Sequence, residues 1–243
     1  MKSTLRTASV FGLACSMLVA CDSDSSGSDS TPRVAAASDS VATDDVDQAA
    51  AEAALLKLSD FDPGWSEVPQ SEDDEQAAVK RKVAKCSGSD QDSGIDFGGA
   101  LATTGSITSP DGKQVIQVTV SFAPDVAAAD DRMTIIAAPA FAACIQPIYE
   151  QYLDGVMEAS GASLDRVTIA KLNLTPAGAT TVAYRMAIVA SNGALTQELY
   201  ADLVVLQSGR ALSSPVFQTR DAPPDTDDIE KYVALAASRL PAP

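Results

Sequence analysis

From Val46 to Leu240 the chain carries two hydrophobic rhythms, one of three to four residues and one of two, and the switches fall at Pro, Gly, Asn and Asp. Ala-rich helical periodicity begins near Val46, runs to Leu58 and stops at Asp62-Pro63-Gly64. A second helix is predicted over Asp74 to Lys85, delivering Cys86. Gly98 to Ile107 and Lys113 to Phe122 read as strands of a hairpin that turns through Pro110-Asp111-Gly112. In the second of these, Ile116, Val118, Val120 and Phe122 share one face, while Gln117, Thr119 and Ser121 share the other, which predicts one core side and one wetter side. Asp125 to Ile136 and Pro139 to Ala159 read as two helices, and Pro139 suits a first helical position. Phe141, Cys144, Ile145, Ile148, Tyr149, Tyr152 and Val156 form the apolar stripe of the longer helix, which turns Cys144 inward.

Leu164 to Thr219 is a strand array punctuated by Pro176-Ala177-Gly178, Asn192-Gly193 and Ser208-Gly209. A two-residue turn at Asn192-Gly193 sets Met186 opposite Leu199 and Tyr184 opposite Ala201. The same register sets Arg185 opposite Tyr200 and diagonal to Asp202. A turn at Ser208-Gly209 sets Ala201, Leu203 and Val205 opposite Val216, Ser214 and Leu212. The apolar faces coincide in both hairpins except at Ser214, which predicts an antiparallel meander, with Pro215 marking an edge or a bulge. After Pro223-Pro224 a last helix begins, with Thr226 or Asp227 as its cap and Asp228 and Glu230 near its positive end. Ile229, Tyr232, Val233, Ala236 and Leu240 give it an apolar face for the sheet. Helices and an antiparallel sheet of about six strands in one chain make the fold class α+β, in a single domain over residues 48–243.

The first twenty residues follow a different logic. Lys2 and Arg6 precede a mostly apolar run from Ala8 to Ala20, too short for a membrane span of about 20 residues. The run ends in Leu18-Val19-Ala20-Cys21, which resembles the lipobox of bacterial lipoproteins. That resemblance implies a signal peptide over residues 1–20 and a palmitate-type acyl modification of Cys21 as the first mature residue. It places the protein on the extracytoplasmic face of the cell membrane, held there by lipid, since more than one acyl chain anchors stably where one does not. The competing reading is an ordinary secretory signal with a chance cysteine near its cleavage site. Residues 21–47 are rich in Ser, Asp, Thr, Ala and Gly and bury too little to order themselves, so they read as an acidic, disordered tether. Asp22-Ser23-Asp24 is solvated charge there rather than a metal site.

Composition narrows the chemistry. Loss of the signal removes Lys2 and Arg6 but no acid, so the formal charge moves from −16 to −18. Such a chain gains nothing from nucleic acid and is repelled by anionic lipid, so attachment falls to the acyl chains. Cys86 and Cys144 remain as a pair in an exported domain and read as a disulfide closing a 58-residue separation, worth roughly 4 kcal/mol in the chain-entropy model. A reactive thiol pair is the rival, without C-x-x-C spacing. The absence of histidine removes Ser-His-Asp and Cys-His triads, His-based zinc sites and imidazole relays. No catalytic set, cofactor or metal is expected.

Three further features occur together. Leu55-Leu56-Lys57-Leu58-Ser59-Asp60-Phe61-Asp62-Pro63-Gly64-Trp65 is similar to a Leu-Leu-x-x-x-Asp-Leu-Pro-x-Gly-Trp/Phe opening. Cys86 is matched by Cys144 on a helix behind a Phe, and the stretch from Ala201 to Ala211 leads to a closing helix that ends in Ala-x-Arg-Leu. In this order, from about Ala49 to Leu240, they resemble an actinobacterial family of lipoproteins and sensor domains that includes the extracellular domain of the serine/threonine kinase PknH. The resemblance implies a twisted antiparallel sheet with helices packed on it and a cleft suspected of binding a ligand. The chain departs from the kinase in lacking a kinase or transmembrane segment and in having too few cysteines for two disulfides.

Candidate binding residues lie on the second face of the sheet. Arg185, Tyr200 and Asp202, flanked by Ala183, Ala187 and Ser213, read either as a cleft that orients a polar ligand or as a cross-strand ion pair. Trp65 reads as an aromatic platform or as a core anchor. Asn173-Leu174-Thr175 has the form of a glycosylation triplet and is discounted in a bacterial lipoprotein. The function expected is a non-catalytic sensor or ligand-binding domain of the cell envelope, whose partner is a small envelope ligand or an envelope protein. Alternatives are a scaffolding partner of another envelope protein and a His-independent cell-wall enzyme.

Overall fold

The computed structural model describes residues 38–69, 74–88, 101–175, 178–193 and 195–242. The signal segment, Cys21, the tether up to residue 37, Gly98 at the start of the first strand and Pro176-Ala177 lie outside them. In chain order the elements are α1 (Ser38–Ala54), a 3-10 turn (Leu58–Asp60), β1 (Ser66–Val68), α2 (Asp74–Cys86), β2 (Leu101–Thr103), β3 (Ser106–Thr108) and β4 (Gln114–Phe122). There follow α3 (Val126–Ala137), α4 (Pro139–Ala159), β5 (Ser163–Leu172), β6 (Thr180–Asn192), β7 (Leu195–Ser208), β8 (Ala211–Arg220) and α5 (Thr226–Arg239). The class is α+β, with one eight-stranded sheet in the order β1-β3-β4-β8-β7-β6-β5 and β2 also paired to β4. Every pairing is antiparallel.

Both faces of the sheet are covered. On one, α2, α3 and α4 pack Val83, Met133, Phe141, Ile145 and Tyr149 against Tyr184, Met186, Leu203 and Val216. On the other, α1 and α5 pack Ala51, Ile229, Tyr232 and Val233 against Ile116, Val118, Val204 and Phe217. Gln117, Thr119 and Ser121 on β4 are therefore buried as well, not wetter, because α2, α3 and α4 roof that face. Trp65 is half-buried, with its ring 4.9 Å from Phe61, and Phe61 in turn stacks on Tyr232 at 4.7 Å. It is a core anchor.

The strands differ from the sequence pattern in ways that have local causes. The first expected strand is split into β2 and β3, whose registers on β4 differ by one residue. At the break Thr104 donates its N–H to the Val118 carbonyl at 2.9 Å, and its hydroxyl accepts from the Val118 N–H at 3.0 Å. Asn192 pairs with Leu195 and Ser208 with Ala211, so each turn lies one position later than expected. Moving a two-residue turn by one position changes every partner by two residues, which preserves the faces while replacing the partners. Met186 thus faces Ala201, not Leu199, and Leu203 faces Val216, not Ser214. Pro215 marks neither an edge nor a bulge: β8 is interior, and its register to β7 is the same on both sides of the Pro. The ladder simply lapses between Leu203–Val216 and Leu206–Ser213, where Pro215 has no N–H to give.

Three corrections concern the helices. α1 begins at Ser38, well before Val46 and inside the stretch expected to be tether. The cap of α5 is Asp225, whose carboxylate accepts from the Asp227 N–H at 2.9 Å. Cys144 is exposed rather than inward. Leu153 and Met157 are buried on α4, and at about 100° per residue they draw the centre of the stripe away from Cys144. The cysteine lies on the flank that meets α2, where it bonds Cys86 across a Cα separation of 5.8 Å.

Replacing both Cys86 and Cys144 with Ser should lower the unfolding free energy by about 2–5 kcal/mol. Urea titration under oxidising conditions measures it. A loss below about 1 kcal/mol would show that packing between α2 and α4 alone fixes the two helices.

Candidate functional site

The candidate residues sit where α5 stops covering the sheet. Ala170, Arg185, Asp202 and Phe217 stand side by side across β5 to β8, and Thr168, Ala187, Tyr200 and Thr219 form the next row. A third row holds Arg166, Val189 and Glu198. α5 packs over Phe217 and Ala183, while Ala187, Val189 and Tyr200 are only half-buried and Arg166, Thr168 and Ala170 are exposed. Arg185 therefore marks the border between a roofed and an open part of one sheet face.

Its guanidinium is held by a fork. Nε donates to Oδ1 of Asp202 at 2.7 Å and Nη2 to Oδ2 at 2.6 Å, the bidentate geometry that Arg forms with a carboxylate. Nη2 also reaches the Pro224 carbonyl at 3.3 Å, which ties the entry of α5 to the strands. Asp202 has no exposed side-chain surface, whereas a quarter of the Arg185 side chain is open to solvent. Burial pushes the Asp202 carboxyl above its usual range, with the guanidinium opposing that shift. The bond to Asp202 raises Arg185 in turn, against some desolvation. Tyr200 donates its hydroxyl to Glu198 at 2.5 Å, and that bond raises its pKa while Arg185 and Arg166 pull the other way.

Arg185, Tyr200 and Asp202 are thus brought together as expected, with one exchange: Asp202 is directly opposite Arg185 and Tyr200 is diagonal. The one-position shift of the Asn192-Gly193 turn accounts for it. Sequence reasoning missed a groove of about 540 Å³ between α4 and β5, lined by Glu150, Gln151, Asp154, Asp165 and Arg166 among others. Glu150 and Asp154, four residues apart on the polar side of α4, were the available signal, but the acids across the groove come from another element. Among the described residues no group of three or more His, Cys, Asp or Glu side chains is arranged to hold a metal ion.

No family model matches the chain, and no curated protein matches it. The chain is similar to the extracellular domain of PknH from Mycobacterium tuberculosis. The identity is 11%, the match covers 79% of this chain and 95% of that one, and the TM-score is 0.41.

Removing Arg185 leaves a buried carboxylate without its cation, so Arg185→Ala should cost about 3 kcal/mol at neutral pH, more than an exposed pair would. The folded-state pKa of Asp202 is already raised, and it rises further once the guanidinium is gone. An acid whose folded pKa lies above its unfolded value favours folding below the unfolded pKa and loses that contribution as pH rises through the folded one. The deficit of the variant should therefore be largest at neutral pH and shrink toward pH 4. Thermal melting of both proteins across pH 4–7.5 measures this, and a pH-independent deficit would remove Asp202 as its cause.

Proposed function

We propose that this chain is a lipid-anchored domain on the extracytoplasmic face of the cell membrane that recognises a ligand rather than transforming one. The observation that carries the location is the Cys86–Cys144 bond, since structural disulfides belong to oxidising compartments. Cys21, closing Leu18-Val19-Ala20, supplies the anchor, and the acidic stretch behind it keeps an already negative domain clear of the lipid surface.

Recognition is read at the open rows of the sheet. Asp202 is wholly buried and cannot reach a ligand, so its part is to position Arg185. The fork and the Pro224 carbonyl fix the guanidinium, and a quarter of the Arg185 side chain is open to solvent. Beside it lie the Tyr200 ring and the small side chains of Ala170, Ala187 and Thr168, which leave room for a molecule to lie across the strands. A rigid cation next to an aromatic ring suits an anionic or polar ligand of the envelope.

Mass spectrometry of membrane-extracted protein should show an acylated amino-terminal fragment beginning at Cys21. An unacylated protein cleaved elsewhere would remove the anchor. For recognition, melting of the full-length protein with and without small-molecule extracts of the cell envelope should show stabilisation. Tyr200→Ala should lower the apparent affinity about ten-fold while changing stability by about 1 kcal/mol or less. Stabilisation that survives Tyr200→Ala would move the site elsewhere, and turnover of an envelope substrate would overturn the non-catalytic reading.

A further inference from the structure

β5 does not alternate evenly. Its register against β6 slips between Leu164, which faces Ala190, and Arg166, which faces Val189, so the strand carries one extra residue at Asp165. Leu164 packs against the core on the α4 side, and plain alternation would send Arg166 to that side too. The extra residue turns Arg166 over to the open face that carries Tyr200, as bulges commonly re-aim a side chain. Ser191, two positions beyond Val189 on β6, shares that face, and its hydroxyl donates to Asp165 at 3.0 Å. The bulge therefore delivers an acid and a cation to one face from consecutive positions.

Arg166 looks across the sheet at an opposite charge. Arg166, Val189 and Glu198 form one row over three strands, so Arg166 and Glu198 stand two strand spacings apart, about 9–10 Å between Cα atoms. Half-buried Val189 is the apolar floor between them. The Arg166 guanidinium is close enough to pull the pKa of the Tyr200 hydroxyl down, and that hydroxyl donates to Glu198 at 2.5 Å. Both charges thus lie near one hydroxyl, yet among the described residues neither Arg166 nor Glu198 makes an ion pair.

This arrangement selects a charge pattern. A simple anion on Arg166 meets Glu198 and Asp165, and a simple cation on Glu198 meets Arg166. A molecule with both charges on one carbon escapes both repulsions. In an α-amino acid a carboxylate oxygen and the ammonium nitrogen are about 3 Å apart, and a charge-assisted hydrogen bond at each end adds about 2.8 Å, so the bridge spans about 8–9 Å. That span suits side chains that stand upright on either side of Val189. The ligand's own side chain then leaves over Ala187, beside the Tyr200 ring.

We propose that the open face binds a zwitterionic amino-acid centre across Val189, with its carboxylate on Arg166 and its ammonium on Glu198. The inference rests on recognition at the Tyr200 surface and gives that ligand a chemical class. The centre belongs either to a free amino acid or to a larger envelope molecule that bears one, and the recognised chemistry is the same.

Titration calorimetry of the full-length protein in detergent, against the common α-amino acids in both enantiomers, should find binding with a dissociation constant of about 1 mM or lower. The N-acetyl and amide derivatives of the bound amino acid each lack one charge and should bind about ten-fold or more weakly. Arg166→Gln and Glu198→Gln should each weaken binding about ten-fold or more, while shifting the melting temperature of the ligand-free protein by about 2 °C or less, since both side chains are exposed. Ultrafiltration of envelope extract should leave competing activity in the filtrate for a free amino acid, or in the retained fraction for a larger bearer, and either supports the proposal. No binding by any amino acid at about 10 mM, derivatives that bind as well as the parent, or an affinity indifferent to Arg166→Gln overturns it. If envelope extract still stabilises the protein through Tyr200 in that event, the recognition surface stands without this ligand class; if nothing stabilises it, both readings fall.

Discussion

The sheet is held together by the insertion of its last strand between two others. β8 pairs with β7 on one side and with β4 on the other, and among the described residues no other strand pairing joins the β1–β4 half to the β5–β7 half. The β7–β8 hairpin is local, but β4 precedes β8 by about ninety residues, so the union of the halves waits on a long loop closure. This explains how Pro215 survives in a central strand. Its missing donor falls where the β7 ladder lapses, while Val118 stays in register with it on the β4 side. Arg210, in the turn that leads into β8, secures the joint. It exchanges backbone and side-chain bonds with Ala123 just past β4, lies 5.0 Å over the Phe122 ring and pairs with the buried Asp47 of α1.

In a chain with a net charge of −16, three arginines serve as internal ties. Arg210 joins α1 to the β7–β8 turn, Arg239 joins α5 to the segment after α1, and Arg185 joins two strands to the entry of α5. Arg239 donates to Asp60 and to the Leu55 carbonyl, both at 2.6 Å. The Leu55–Trp65 stretch is thereby accounted for as architecture: Leu56 and Phe61 enter the core, Asp60 takes the arginine, and Trp65 covers Phe61. Such ties contribute little to net stability when burial is counted, yet losing one partner is expensive. They specify which elements meet.

What could be read from the sequence depended on how local its cause was. The spans of α2, α3 and α4 and the strands of the meander follow from periodicity and from Pro139, and the structure has them within a residue or two. Faces were legible and partners were not, because alternation survives a two-residue change of partner while Tyr200 and Asp202 exchange places beside Arg185 under it. The buried second face of β4 was hidden, since Gln117, Thr119 and Ser121 read as solvent-facing until three helices are laid over them. Arg185, Tyr200 and Asp202 were found because they share one face of adjacent strands. The acids of the α4–β5 groove were not, because only the packing of a helix beside an edge strand brings Glu150 and Asp154 to Asp165.

The position of Cys144 on an exposed flank of α4 separates the fate of its bond from the fate of the fold. A buried disulfide meets reductant only when the domain opens, so its lifetime follows the unfolding equilibrium. Here a thiolate from an oxidoreductase has a path to the bond in the folded protein, and exchange depends on the approaching thiol and the local redox poise. The linkage between α2 and α4 is thus one that the compartment can rewrite without melting the sheet beneath it.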